Sequence, residues 1–259
     1  MDKTYSKLID DFKSISRKRW INGVTSGHGN VGLTFENLLG KDVDSDYSPD
    51  YNGIELKCTT RFSNYPVSLF SIAFDGPTDK EIIRINQLYG YNDSTIPNKK
   101  VILKSLKYNQ ITELRSGYSL SFDIDYIDKK LYLCVYDFDK NLIEREAFVY
   151  LDTIKEHLLK KLKKLAIIKA SKKSINNEDF FRYYSINIYE LKSFDVFFEM
   201  LKKGEIKICI IARVNNNGVY HNKNLVFQIN KSNIDKLFNC VYSYNLDDIK
   251  NENFIFLTI

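Results

Sequence analysis

The chain has 259 residues, 44% hydrophobic and 27% charged, with a formal net charge of +5. That balance is typical of a folded globular chain and excludes collagen, coiled coil and wholesale disorder. No apolar run reaches the roughly 18 residues a bilayer-spanning helix needs. The N-terminus, Met1-Asp2-Lys3-Thr4-Tyr5, leads into mixed polar sequence rather than an apolar leader, so a cytoplasmic bacterial protein with no membrane attachment is expected.

Residues 4–20 read as a helix, because Leu8, Ile9, Phe12 and Ile15 recur at helical spacing. Ser26-Gly27-His28-Gly29-Asn30-Val31-Gly32 reads as a glycine-rich loop, followed by a helix over 33–39 that Gly40 stops. An acidic loop with Asp42, Asp44 and Asp46 precedes Pro49, which opens a short strand carrying Ile54-Glu55-Leu56-Lys57-Cys58. Strands are expected at 67–74, 118–126, 131–138 and 147–150, the middle two forming a hairpin. A basic helix over about 151–163 runs into a buried strand, Leu165-Ala166-Ile167-Ile168. A helix over 192–203 ends at Gly204; two strands, 206–214 and 219–230, then flank the turn Asn215-Asn216-Asn217-Gly218. The pattern predicts an α/β protein with a mixed central sheet flanked by helices. Cys58, Cys134, Cys209 and Cys240 form no C-x-x-C pair, which argues against a zinc site or disulfide framework. Three of them lie in apolar runs and read as small core residues.

The stretch Pro49-Asp50-Tyr51-Asn52-Gly53-Ile54-Glu55-Leu56-Lys57 carries the chemistry. Side chains alternate along a strand, so Glu55 and Lys57 share one face while Ile54 and Leu56 bury the other. Asp50 enters on a turn that Gly53 can bend. Two carboxylates, Asp50 and Glu55, can hold a hard cation such as Mg²⁺, with the Leu56 carbonyl as a further oxygen ligand. Such an ion polarises a phosphodiester and lowers the pKa of a bound water. Lys57 can neutralise developing charge or orient that water. Taken alone, the same residues also fit a turn cap and a solvated strand pair.

Upstream lies Gly29-Asn30-Val31-Gly32-Leu33-Thr34-Phe35-Glu36. Together with Asn37-Leu38-Leu39, Pro49-Asp50 and Ile54-Glu55-Leu56-Lys57, it resembles the MvaI/BcnI-type restriction endonucleases in order and spacing. These form part of the MutH-like branch of the PD-(D/E)xK nucleases. The resemblance continues through Lys161-Leu162-Lys163-Lys164-Leu165-Ala166-Ile167-Ile168, Gly204-Glu205-Ile206-Lys207-Ile208, and His221 with Phe227-Gln228-Ile229-Asn230. It implies a PD-(D/E)xK restriction-endonuclease-like fold, with Asp50 and Glu55 as metal ligands, Lys57 as the catalytic lysine and Glu36 as a helix carboxylate supporting the metal. One departure is visible: where MvaI-like members carry His-x-His, the second histidine is replaced by Lys223, which bears on the target sequence and not on the chemistry.

The resemblance further implies Mg²⁺ (with Mn²⁺ as a substitute), double-stranded DNA as partner, a matching host DNA methyltransferase, and a monomer that nicks the two strands in turn at a site of about five base pairs. Two alternatives share the motif: a MutH-like repair nickase and a non-catalytic DNA-binding module.

Residues 155–173 hold eight lysines against Glu156 and are expected to grip phosphates along one helix face. Lys161 is the leading candidate because it matches the family's helix lysine. Arg61 follows the catalytic strand and could reach neighbouring phosphates. The 206–230 hairpin offers Arg213, Tyr220, His221 and Lys223 as candidates for reading bases, while Asn215–Asn217 read as a turn. His28 is placed near the DNA backbone and His157 on the surface. A single nuclease fold with two lobes around a DNA cleft is expected, catalytic over about 1–165 and recognising over about 166–259.

Overall fold

The computed structural model describes residues 3–27, 29–40, 48–60, 63–215 and 217–246, and of residues 221–224 the backbone alone. In chain order the elements begin with α1 (Lys3–Arg17), β1 (Ile21–Asn22), α2 (Asn30–Leu38), β2 (Glu55–Thr60), β3 (Val67–Ile72), α3 (Glu81–Tyr89), β4 (Tyr91–Asn92) and β5 (Lys100–Leu106). There follow β6 (Thr112–Glu113), β7 (Ser119–Asp125), β8 (Lys130–Tyr136), β9 (Leu142–Glu144), β10 (Phe148–Tyr150), α4 (Leu151–Leu162), β11 (Lys164–Ile175) and β12 (Glu178–Leu191). The chain continues through α5 (Phe194–Lys202), β13 (Ile206–Val214), β14 (Tyr220–Ile229), α6 (Ile234–Leu237) and β15 (Phe238–Asn245). Among the described residues no helix is long and apolar enough to cross a membrane.

The architecture is the expected mixed α/β one, but its strands are distributed over three five-stranded sheets rather than one. The chain divides into two compact units. Unit 1 takes Met1–Tyr65, Lys160–Lys192 and Phe238–Ile259; unit 2 takes Pro66–Leu159 and Ser193–Leu237. Residue 165, where the sequence reading places the boundary between lobes, lies inside β11 in unit 1.

Unit 1 is built on a sheet ordered β1-β12-β11-β2, with β15 also paired to β12. β2 runs parallel to β11, and the other pairs are antiparallel. One face of this sheet is apolar. Ile54, Leu56, Ala166, Ile168, Ala170, Phe181, Tyr183, Ile186 and Ile188 pack there against Leu8, Phe12 and Ile15 of α1 and Val31 and Phe35 of α2. Phe35 is central, its ring 5.0 Å from Tyr183 and 6.2 Å from Phe12. The buried Tyr183 hydroxyl donates to the Val31 carbonyl at 2.8 Å, tying α2 to the sheet.

Helix α2 starts at Asn30, three residues earlier than the sequence reading. The buried Asn30 side chain accepts from the Thr25 N–H and the Thr34 hydroxyl at 3.2 and 3.0 Å. It therefore braces the start of the helix that Gly29-Asn30-Val31-Gly32 was expected to leave as loop. Gly23 is required there, because a Cβ on it would lie 2.4 Å from the Asn30 side chain.

Unit 2 holds a sheet ordered β10-β8-β7-β6, with β9 on β8, and a sheet ordered β3-β14-β13-β5-β4. The expected hairpin is present as β7–β8. β13 alternates buried and half-buried residues without a break, and Phe227 of β14 stacks on Phe70 of β3 at 4.7 Å. In the turn between β13 and β14, Gly218 takes φ +80°, and the Asn215 side chain accepts from the N–H groups of Asn217 and Val219. This supports the turn reading of the asparagines.

The lysine run does not line one helix face. Lys155, Lys160 and Lys161 lie on α4, Lys163 in the bend after it, and Lys164, Lys169, Lys172 and Lys173 on β11. Cys134 is buried, Cys58 and Cys209 are half-buried and Cys240 is exposed.

Because Phe35 closes the contact between α1, α2 and β12, Phe35→Ala is expected to lower unfolding free energy by about 3–5 kcal/mol, measured as a reduced urea midpoint with an unchanged slope.

Candidate active site

The Asp50 turn is set by local chemistry. Tyr51 and Ile54 exchange both backbone hydrogen bonds at 2.9 Å, with Asn52 at φ +47° and Gly53 at φ +82° between them. Two successive positive φ values make a tight turn that Asn and Gly favour. The Tyr51 hydroxyl donates to Asp11 Oδ2 of α1 at 2.6 Å. Burial, followed by that carboxylate, raises the pKa of its phenol.

The turn swings Asp50 back along β2, where its Oδ2 accepts the Leu56 N–H at 2.9 Å. β2 is the end strand of its sheet and pairs only with β11 among the described residues. The N–H and C=O of one strand residue point the same way, so the Leu56 carbonyl lies on the open edge beside Asp50.

Glu55 and Lys57 occupy the face opposite the α1/α2 core. The Lys57 ammonium donates to Glu55 Oε1 at 2.5 Å, and Lys161 Nζ lies 3.6 Å from the same oxygen. The Glu55 side chain is 1% exposed, against 28% for Lys57. Its second oxygen, Oε2, is buried and has no hydrogen-bond partner among the described residues. Burial raises the Glu55 pKa most; the Lys57 charge opposes this and the Asp50 charge adds to it.

Glu36 is half-buried on α2. The Cys58 thiol pKa is raised first by burial, then by the negative charges of Glu36 and Asp50. Asp50 therefore sits at the open edge of β2 and Glu55 on the face of that strand turned away from the core.

Among the described residues no group of three or more His, Cys, Asp or Glu forms a metal cluster. The donor set of Asp50, Glu55 and the Leu56 carbonyl nevertheless fits a hard divalent cation. A buried carboxylate oxygen without a donor is costly, and Mg²⁺ is held by one or two carboxylates while keeping several waters.

The proposed DNA contacts are spread widely. Lys161 lies at the carboxylate cluster, a location the sequence reading did not give it. α4 feeds directly into β11, and Leu165 pairs in register with Glu55, so the last turn of the helix is level with the start of β2. Arg213 donates through Nε to Asp93 Oδ2 at 2.9 Å and through its terminal nitrogen to the Thr95 hydroxyl. Asp93 is held down to about 2, first by the Thr95 N–H, then by the Thr95 hydroxyl and Arg213. The Tyr220 hydroxyl accepts from Asn86 Nδ2 at 3.1 Å.

His221 is the extra residue of a β-bulge, since Arg213 pairs with Asn222 and Val214 with Tyr220; Lys223 pairs with Ala212. The side chains of His221 and Lys223 lie outside the described residues, as do Arg61 and His28. His157 is half-buried, with Nδ1 2.9 Å from the Thr153 carbonyl on its own helix.

With this geometry in place, the sequence profile of the MvaI/BcnI restriction endonuclease family matches residues 9–238. The chain belongs to that family. Two solved structures share its fold. The complex of restriction endonuclease MvaI with its cognate DNA substrate has a TM-score of 0.85 and 23% identity, covering 93% of this chain and 98% of that one. MvaI in the absence of DNA has a TM-score of 0.57 and 22% identity, covering 94% and 98%. No curated protein sequence gives a significant match.

The Glu55 environment yields a sign that can be tested. A carboxyl whose pKa is raised by folding stabilises the fold only while protonated, and that contribution is lost as pH rises through its folded value. Glu55→Gln is therefore expected to raise the melting temperature at pH 7 in chelator. The gap should close below about pH 4, where both states hold the proton. Adding Mg²⁺ should raise the melting temperature of the wild type and not that of the variant.

Proposed function

We propose that the chain is a type II restriction endonuclease that hydrolyses phosphodiester bonds of double-stranded DNA with Mg²⁺, acting as a monomer that nicks each strand in turn. The observation that carries this reading is the buried, unpartnered Glu55 Oε2 beside Asp50 at the open edge of β2, with Lys57 on the same carboxylate.

Asp50, Glu55 and the Leu56 carbonyl would hold the cation, with Mn²⁺ as a possible substitute. When bound, Mg²⁺ supplies Lewis-acid polarisation of the phosphate and a more acidic water. Lys57, anchored on Glu55 Oε1 and partly exposed, can present its ammonium to the attacking water and to the charge that builds on the phosphate. Lys161 places a second cation at the same oxygen, suited to the phosphate next to the one attacked. Glu36 completes the acidic surround from α2, bracing the cation through water. In the step itself, the water oxygen bonds to phosphorus and releases a proton to solvent, the bond from phosphorus to the leaving oxygen breaks, and the displaced oxygen takes up a proton from solvent.

We assign cutting to unit 1, which contains all six of these residues, and base reading to unit 2, which contains Arg213, Tyr220, His221 and Lys223. Asp93 pre-orients Arg213, which lowers the entropy cost of a bidentate contact to guanine. Arg61, just beyond β2, is assigned to phosphate. A restriction enzyme also requires a host DNA methyltransferase that protects the same site.

Asp50→Ala and Lys57→Ala should each lower cleavage of a plasmid of known sequence by about 10²–10⁴-fold without changing the circular dichroism spectrum. The wild type should cut only with added Mg²⁺ or Mn²⁺, and nicked circles should precede linear product. End mapping reads the site. Undiminished cutting by both variants overturns the reading, and nicks that never become double-strand breaks favour the repair-nickase alternative.

A second expectation concerns pH. Ionised Glu55 is needed to hold the cation and its pKa is raised, so the acid limb of the cleavage profile should lie above the ordinary carboxylate range. It should move to lower pH as Mg²⁺ rises, because the ion competes with the proton.

A further inference from the structure

The catalytic face of the unit 1 sheet does not end at Lys57. Residues of the hydrophobic core fix which side of each strand is which: Ile54, Leu56 and Cys58 on β2, Ala166, Ile168 and Ala170 on β11, Phe181 and Tyr183 on β12, and Ile21 on β1. Strand alternation then puts Lys169, Ser171 and Lys173 on the same face as Glu55 and Lys57. The pairings Ser171↔Arg182, Lys173↔Phe180 and Asn22↔Phe180 extend that face across β12 to Trp20.

Contacts agree with this placement. Lys173 Nζ sits 4.5 Å from the Trp20 ring centre and 5.7 Å from that of Phe180. Lys172, on the opposite face, is paired instead with Asp179, which also meets Asn30 of α2 on the core side. Lys169 is exposed, Trp20 is 38% exposed, and Lys173 and Arg182 are half-buried. Glu178, on the same face, accepts from Asn22.

We propose that Trp20, Lys169, Lys173 and Arg182 form a sequence-independent grip on the phosphate backbone of duplex DNA outside the recognition site. The inference rests on the nuclease reading and extends it from the cut to the flanking duplex.

Two arguments commit it to this occupant. The strip is cationic and continuous with the face that carries the proposed catalytic groups. Its length also fits. Lys173 lies six residues beyond Ile167, the partner of Lys57, which at ~3.3 Å per residue is about 20 Å. A duplex rises ~3.4 Å per base pair, so the grip falls about six base pairs from the cut. Trp20 and Phe180 hold Lys173 through their ring faces, limiting its rotamers while leaving its ammonium able to meet a phosphate oxygen.

The test compares two duplexes carrying the site mapped on the plasmid, one with about three flanking base pairs per side and one with at least twelve, bound by full-length protein in a Lys57→Ala background. Lys169→Ala/Lys173→Ala should weaken binding of the long duplex about tenfold and flatten its log K against log[salt] slope by about two. Short-duplex affinity and, in the otherwise wild-type chain, short-duplex cleavage should not change. Lys169→Arg/Lys173→Arg should restore long-duplex binding, and matching melting temperatures show that the variants fold. An unchanged slope on the long duplex, or an equal loss on both duplexes, overturns the grip. Failure of the nuclease reading looks different: a wild type that cleaves neither duplex with Mg²⁺ overturns both.

Discussion

Burying Glu55 beside Asp50 is the constraint around which unit 1 is organised. A carboxylate that is 1% exposed, with one oxygen lacking a donor among the described residues, opposes folding unless the rest of the sheet outweighs it. The outweighing is done from the other face. Ile54, Leu56, Phe12, Phe35 and Tyr183 form a continuous apolar layer under the same strand, worth about 1.5–3 kcal/mol for each fully buried large side chain. Function and stability therefore occupy opposite faces of one strand of six residues. An open edge is usually a liability in a sheet, because it offers unpaired backbone groups to other chains. Here Asp50 occupies it, accepting one N–H from the edge and leaving a carbonyl beside two acids.

The parallel pairing of β2 with β11 does the rest of the positioning. Glu55 is level with Leu165 and Lys57 with Ile167, so α4, which leads into β11 after a single bend, arrives at the carboxylates with its C-terminal turn. A helix C-terminus carries partial negative charge and tolerates lysines. The local sequence there, Lys160-Lys161-Leu162-Lys163-Lys164, thus suits both the end of a helix and the approach to a phosphate. From the same register the face extends through Lys169 to Lys173 and Trp20, so one strand links the Glu55–Lys57 pair to this cationic strip.

What could be read from the sequence was local. The Asp50–Lys57 cluster depends on spacing within one turn and one strand, and Asn52-Gly53 states its own turn type. The β7–β8 hairpin and the Asn215–Gly218 turn were equally readable. β12 was not. Its core residues run Phe181, Tyr183, then Ile186 and Ile188, because an extra residue opposite Lys169/Ala170 shifts the alternation by one. A strict period of two therefore breaks in mid-strand. Lys161 was visible as a basic residue but not as a neighbour of Glu55, since that contact depends on a strand pairing over more than 100 residues. The same holds for Arg213, whose partner Asp93 lies 120 positions away.

The division into units follows from this topology and not from chain order. A strand with a single neighbour cannot stand alone, and β2 obtains that neighbour, β11, from residues more than a hundred positions later. β11, β12 and β15 return to complete its sheet, while residues 66–159 and 193–237 fold on their own cores as insertions between these stretches. A boundary drawn once along the sequence separates β2 from the strand that holds it in register. The first insertion returns to unit 1 within α4 and the second leads straight into β15, so their loops and hairpins lie apart from the Glu55–Leu165 register. A change in the β13–β14 hairpin, which lies in unit 2, then leaves the pairing of β2 with β11 in place.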